Sequence, residues 1–186
     1  AFKTARIGIL LFIGDGFVAS RWSFVWPLAL FTSLGETFLA FGGALAIAAL
    51  VGAVASILLG RHIDMGHGGR AVWFTFGSLT GATLLRAIAI GSAPLSVLGN
   101  ALGALVNSLY VPTVLTDVYN EAKRSPCTLR FHVATDGGWD IGGASGLLVA
   151  AALTALGAPL SVSILLSFVG VASNFLILRN YYGPKG

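Results

Sequence analysis

Charge is what this sequence has least of. Of its 186 residues only 7 are Asp or Glu and 11 are Lys or Arg, so 10% are charged, against roughly 25% in ordinary soluble domains. That scarcity excludes a soluble helical core, because nearly every segment is apolar all round and a soluble surface helix needs a polar face. Cysteine occurs once, as Cys127, which excludes an internal disulfide and leaves the redox compartment open. Long polar stretches are missing too: the longest polar interval is YNEAKRSPCTLR, Tyr119 to Arg130, an ordinary connection in which Pro126 stops a helix. What is present in excess is apolar, 56% of residues with a mean hydropathy of +0.87, the composition of an integral membrane protein. The formal charge of +4 therefore bears on membrane topology, and no nucleic-acid partner is expected. An opening AFKTAR without Met is what a processed, truncated or excised segment would show.

The apolar residues fall into six segments: Ile7 to Leu34, Thr37 to Leu59, Ala71 to Ile90, Leu95 to Val118, Leu129 to Leu156 and Leu160 to Leu178. Each reaches the ~20 residues that cross a bilayer, and the first and fifth are long enough to tilt or break. The expected fold is an all-α membrane protein, one six-span transmembrane domain over residues 1–186. Its connections alternate between charged and uncharged. Lys3, Arg6, Arg61, Arg70, Lys123, Arg124, Arg130, Arg179 and Lys185 lie on the side of the termini, leaving only Arg21 and Arg86 elsewhere. By the positive-inside rule both termini are cytoplasmic. No repeat aligns between the two halves of the sequence.

Ionisable groups inside spans carry most of the functional information, since each is costly unless it faces protein or water. Asp15 stands between Gly14 and Gly16 in the first segment, about nine residues from the inner end and near mid-membrane at ~1.5 Å per residue. It is either a proton-coupling or cation-binding carboxylate or a structural Asp bonded to a neighbouring helix, and the flanking glycines permit local unwinding and close approach. Arg21, Trp22 and Trp26 read as interfacial anchors, with Pro27 kinking the outer end of the helix. Arg86 either snorkels to lipid phosphate or pairs inside the bundle.

The fifth segment holds His132, Asp136 and Asp140 at i, i+4 and i+8, hence on one face. Stepped along about 12 Å of axis, the three cannot converge on one ion, so no metal is expected. A proton or cation pathway suits a ladder better; for Asp136 pairing with basic groups near the inner surface is the competing reading. Gly138, Gly142 and Gly146 accompany them as a close-packing series, repeated by Gly99 and Gly103 in the fourth segment. Trp22, Trp26, Trp139, Asn107 and Tyr110 are candidates to line a pocket for an organic molecule. One enzyme motif appears: Gly143-Ala144-Ser145-Gly146 resembles the GxSG of rhomboid intramembrane proteases. Those need a later His as base, and here the three His, at 62, 67 and 132, all precede Ser145. No enzyme and no cofactor are expected.

Between the second and third segments lies GRHIDMGHGGR, Gly60 to Arg70. It resembles the loop signature of a major facilitator superfamily half: a Gly, three residues, an Asp, then a Gly followed by basic residues. Gly60 and Asp64 stand at that spacing; Met65 replaces the usual Arg, and Gly68 aligns with one residue inserted, leaving Arg70 for the basic cluster. The resemblance implies one six-helix half of a twelve-span transporter, with three-plus-three inverted halves within it. It also implies a second half, supplied by another chain, a removed part of this one or a copy of itself. The implied function is secondary active transport of a small solute by alternating access, proton- or cation-coupled, with Asp15, Asp140, Asp136 and His132 as coupling or substrate residues. A latch of Gly60, Asp64, Arg70 and Asp117 would select between conformations. The expected location is a bacterial inner membrane. The alternative is a non-transporting scaffold or assembly subunit of a larger membrane complex.

Overall fold

The structure, a computed structural model, describes residues 2–63 and 68–182, with side chains described over 5–58, 72–116 and 118–180. Among these the protein is helical, without strands. Helix α1 (Phe2–Ser20), a π-helical turn (Arg21–Val25) and α2 (Trp26–Ser33) form the first span; α3 (Phe38–Ile63) carries the second, α4 (Gly68–Ala89) the third, α5 (Ala93–Arg124) the fourth and α6 (Thr128–Ala155) the fifth. Helices α7 (Leu160–Leu165) and α8 (Ser167–Tyr182) form the sixth. All six are long and apolar enough to cross a membrane, and outward side chains such as Leu39, Leu50, Ile57 and Leu148 are apolar, as lipid contact requires.

Two of the turns between spans follow from glycine. Gly35 (φ +73°) and Gly157 (φ +80°) take the left-handed conformation that ends a helix. The following amides reach back over the last turn, Glu36 N–H to the Phe31 carbonyl at 3.0 Å and Ala158 N–H to the Leu153 carbonyl at 2.9 Å. The first span widens at Arg21–Val25 because Pro27 has no amide hydrogen and its ring crowds the preceding turn; the Trp26 amide then bonds the carbonyl five residues back, at Arg21.

Two sequence expectations change at the opposite ends of the spans. α3 runs to Ile63 and α4 starts at Gly68, so most of the expected Gly60 to Arg70 loop is helix. α5 continues past Val118 to Arg124, because Asn120 to Arg124 are polar residues that a helix accepts outside lipid. Arg124 and Glu121 pair there at 2.9 Å, and the helix stops at Ser125, which is extended ahead of Pro126.

Lipid offers no hydrophobic drive between helices, so small residues and polar bonds hold spans together. α1 lies along α6, touching backbone to backbone: a Cβ on Gly142 or Gly138 would strike the carbonyl oxygens of Ile13 or Ile9, and one on Gly16 that of Trp139. α3 lies along α5 through side chains instead, Ser56 to Ser108 at 3.1 Å and Asn100 to the Ala44 carbonyl at 3.1 Å. The first span also touches the sixth, the fourth touches the third, and the third touches the sixth. Exchanging spans one to three with spans four to six therefore maps neighbours onto neighbours, although no repeat aligns in sequence. The second and fifth spans, equivalent under that exchange, are the least enclosed of the six.

Candidate functional site

Asp15 is placed by the glycines beside it. Gly16 brings α1 onto the α6 backbone at Trp139 and Gly143, while Gly14 lies against Asn174 of α8 and beneath Gly170. α1 stays helical through Asp15, so these glycines serve close approach and the expected unwinding is displaced to Arg21–Val25. Because the α6 backbone is so near, the Trp139 ring folds over Asp15 and its Nε1–H donates to Oδ2 at 3.0 Å.

On the other side stands Tyr110 of α5, buried at 5% exposure, on the same cavity wall as Asp15. Its hydroxyl oxygen accepts from Asn174 Nδ2 at 3.1 Å, which leaves its own hydrogen free to donate. The hydrogen bond to Asp15 among the described residues is the one from Trp139, a neutral donor. No basic side chain touches Asp15 among the described residues, where the ion pair present is Glu121 with Arg124.

Asp15 opens onto a cavity of about 190 Å³ between the first, third, fourth and fifth spans, walled by Trp22, Leu79, Asn107, Tyr110 and Trp139. Four of the five residues named from sequence as pocket candidates meet here. Trp26 does not: it is 2% exposed and donates from Nε1 to Asn100 Oδ1 at 3.0 Å. A larger hollow of about 350 Å³ between α4 and α8 is walled by Trp73, Phe76, Phe168 and Phe175 and has no ionisable side chain to orient a solute.

The interfacial reading of Arg21 and Trp26 is corrected, for both are enclosed by protein. The Arg21 Nη1 donates to the Phe17 carbonyl at 2.8 Å and to Ser20 Oγ at 3.0 Å, and its guanidinium lies 3.6 Å over the Phe17 ring. Arg86 does not snorkel outward. It is 4% exposed, lies 3.9 Å over Trp22 and 4.9 Å over Trp26, donates from Nε to the Gly99 carbonyl at 3.2 Å, and fills the groove left by Gly103.

The remaining candidates stand apart from Asp15. Asp136 and Asp140 are exposed on the outside of α6, away from the buried glycine series 138, 142 and 146. His132 packs against the rings of Tyr119 and Phe131 at 5.9 and 5.8 Å. Of the latch residues, Asp64 lies outside the described residues, Gly60 and Arg70 fall within α3 and α4, and Asp117 within α5, their side chains outside the described set. Ser145 donates to the Gly142 carbonyl at 2.9 Å, an ordinary helix back-bond. Asn174, behind Tyr110, is the polar residue of this region that the sequence reading missed; its only signal was a lone amide in the apolar run SFVGVASNFLIL.

Comparison with family models, curated proteins and solved structures finds no match. The reading of the site rests on its own chemistry.

Proposed function

We propose that the chain is one six-helix half of a secondary active transporter of the major facilitator type, moving a small solute by alternating access, with Asp15 as the proton- or cation-coupling group. The observation that carries the proposal is the Asp15 carboxylate itself: partly buried, deep in a span, opening onto a cavity between four helices. An intramembrane carboxylate is costly and is retained where it does something. The exchange of neighbours between the two three-span sets supports the same reading, because alternating-access proteins place their sites between such repeats. The second half, which a complete transporter of this type needs, would cover the thinly packed second and fifth spans. It would also take Asp136 and Asp140 out of lipid. We place both termini in the cytoplasm and the protein in a bacterial inner membrane on the asymmetry of its basic residues.

A scaffold subunit is the second reading, and the outward Asp136 and Asp140 favour it to the same degree, since any protein partner would shelter them. Proton flux separates the two. In liposomes holding the protein with its second half and an internal pH dye, a panel of solutes added outside should include one that draws protons with it. Asp15→Asn, which keeps the shape and removes the titrating group, should abolish that flux while the protein stays folded and inserted. Coupled flux that persists in Asp15→Asn sinks the coupling role, and no flux with any solute in the wild type favours the scaffold.

A further inference from the structure

We infer that the Asp15 cavity takes a small organic cation, an alkylammonium group held between the carboxylate and the rings of Tyr110, Trp139 and Trp22. The inference rests on reading this cavity as the solute site and goes on to the chemistry of the solute.

Charge decides the sign of the ligand. Trp139 Nε1–H donates to Asp15 and Tyr110 stands on the same cavity wall, and both are neutral. Neither brings positive charge. The oxygens that remain face a cavity in which no described basic side chain contributes a wall. Arg86 lies over the Trp22 ring but adds no surface to the cavity, and its Nε is committed to the Gly99 carbonyl. A carboxylate held as an acceptor in a low-dielectric span attracts a cation strongly, because little water is present to screen it.

Wall chemistry decides which cation. A bare or hydrated metal ion wants six or so oxygen ligands. The cavity offers one carboxylate, with the Ser23 side chain two turns along the same span and Asn107 on α5, and among the described residues no three His, Cys, Asp or Glu side chains gather to hold an ion. What surrounds the carboxylate instead is aromatic, and the negative faces of Trp and Tyr rings attract alkylammonium groups. Size sets the limit. At about 190 Å³ the space equals roughly six waters of ~30 Å³ each, below the ~300 Å³ at which drug-sized sites begin. The rings do not contribute equally. Trp22 already carries Arg86 at 3.9 Å, which draws on its ring and repels a second cation. Trp139 and Tyr110, beside the carboxylate, should supply most of the contact.

Tetramethylammonium is a direct probe. Titrated by calorimetry against the full chain reconstituted in neutral phospholipid, at constant ionic strength set with sodium chloride, it should bind saturably with one site. Tetrabutylammonium, too large for the space, should neither bind there nor compete. Asp15→Asn should weaken tetramethylammonium by more than about tenfold, Trp139→Leu by about fivefold and Trp22→Leu by less than Trp139→Leu, with circular dichroism reporting that each variant is folded. If Asp15→Asn fails to fold, the size discrimination and the order of the two Trp variants still carry the test. Absence of saturable binding in the wild type, equal binding of tetrabutylammonium, or unchanged affinity in folded Asp15→Asn overturns the inference. Its failure is separable from that of the transport reading: coupled proton flux lost in Asp15→Asn without tetramethylammonium binding leaves a coupling site that takes another solute. Tetramethylammonium binding without any coupled flux leaves a cation site on a protein that does not transport.

Discussion

The first span meets the fifth as the second meets the fourth, yet the two seams are made of different material. Along α1 and α6 the contact is bare backbone: Gly16, Gly138 and Gly142 sit so close to facing carbonyl oxygens that none has room for a methyl group. Along α3 and α5 the helices stand further apart and are tied by side chains, Asn100 to the Ala44 carbonyl, Ser108 to the Gly52 carbonyl at 3.3 Å, and Ser56 to Ser108. A bundle in lipid can hold two helices by either means. The consequences differ, because packed backbone fixes one distance while side-chain bonds tolerate adjustment. The rigid seam is the one that carries Asp15 and Trp139, so the precise part of the molecule is the part that builds the candidate site.

The comparison breaks most readily on the rigid side. Gly142→Ala would drive its methyl into the Ile13 carbonyl oxygen, and two backbones would have to part. We expect a loss of about 3 kcal/mol, at the upper end for overpacking by one methyl, measured as unfolding of the purified protein by denaturant in detergent. Gly143→Ala is the internal control. Its added methyl would lie 3.8 Å from the Gly16 carbonyl oxygen, an ordinary contact, and should cost little. Equal losses in the two variants would mean that helix propensity and not seam distance governs this part of the fold.

On the tied side the largest effect should come from Asn100, which joins three spans. Its Nδ2 donates to Ala44 of the second, its Oδ1 accepts from Trp26 of the first, and it belongs to the fourth. Asn100→Leu leaves the Trp26 Nε1–H buried without an acceptor, a cost of about 2 kcal/mol in the same unfolding measurement. Pairing it with Trp26→Phe, which removes the stranded donor, should recover part of the loss. Additive losses in the double variant would show that the bond carries no coupling between the first and fourth spans.

How far the sequence foretold these features depends on the kind of signal each one leaves. The six spans and their glycine turns were legible because length, apolar composition and Gly or Pro punctuation act locally: the turns fall at Gly35, Gly91 and Gly157 as the letters suggest. The opposite ends of the spans were not, since charged residues such as Lys123 and Arg124 stay within the helix. Facing was not readable. Asp15, Trp22, Asn107, Tyr110 and Trp139 do meet at one cavity, but a helix that is apolar all round gives no indication of which side is inward. Arg21 and Trp26 were therefore read as interfacial when they are enclosed, and periodicity gave His132, Asp136 and Asp140 a common face without saying that the two carboxylates point outward. The exchange of neighbours between the two halves leaves no trace in sequence at all, because seams built from glycine on one side and from serine and asparagine on the other share no letters to align.

The smallest effect, and the sharpest contrast, belongs to Gly52, the glycine of the tied seam. A methyl added there would lie 3.5 Å from the Ala104 Cβ and 3.7 Å from the Ala104 carbonyl oxygen, distances at which atoms already pack without displacement. Gly52→Ala therefore fills space without forcing it. It also replaces the residue that loses most backbone entropy in a helix, by up to ~1 kcal/mol relative to alanine. The Ser108 bond accepts at the Gly52 carbonyl, which the substitution leaves in place. We expect a change of under about 0.5 kcal/mol, with stabilisation as the favoured sign, since the propensity gain meets little steric opposition. The same Gly to Ala substitution thus has opposite consequences at two equivalent seams, and the difference between Gly142→Ala and Gly52→Ala in one unfolding series isolates interhelical distance from everything else the two sites share. A loss at Gly52 comparable to that at Gly142 would mean that the second and fourth spans are also held at backbone contact, and that the two seams are one design.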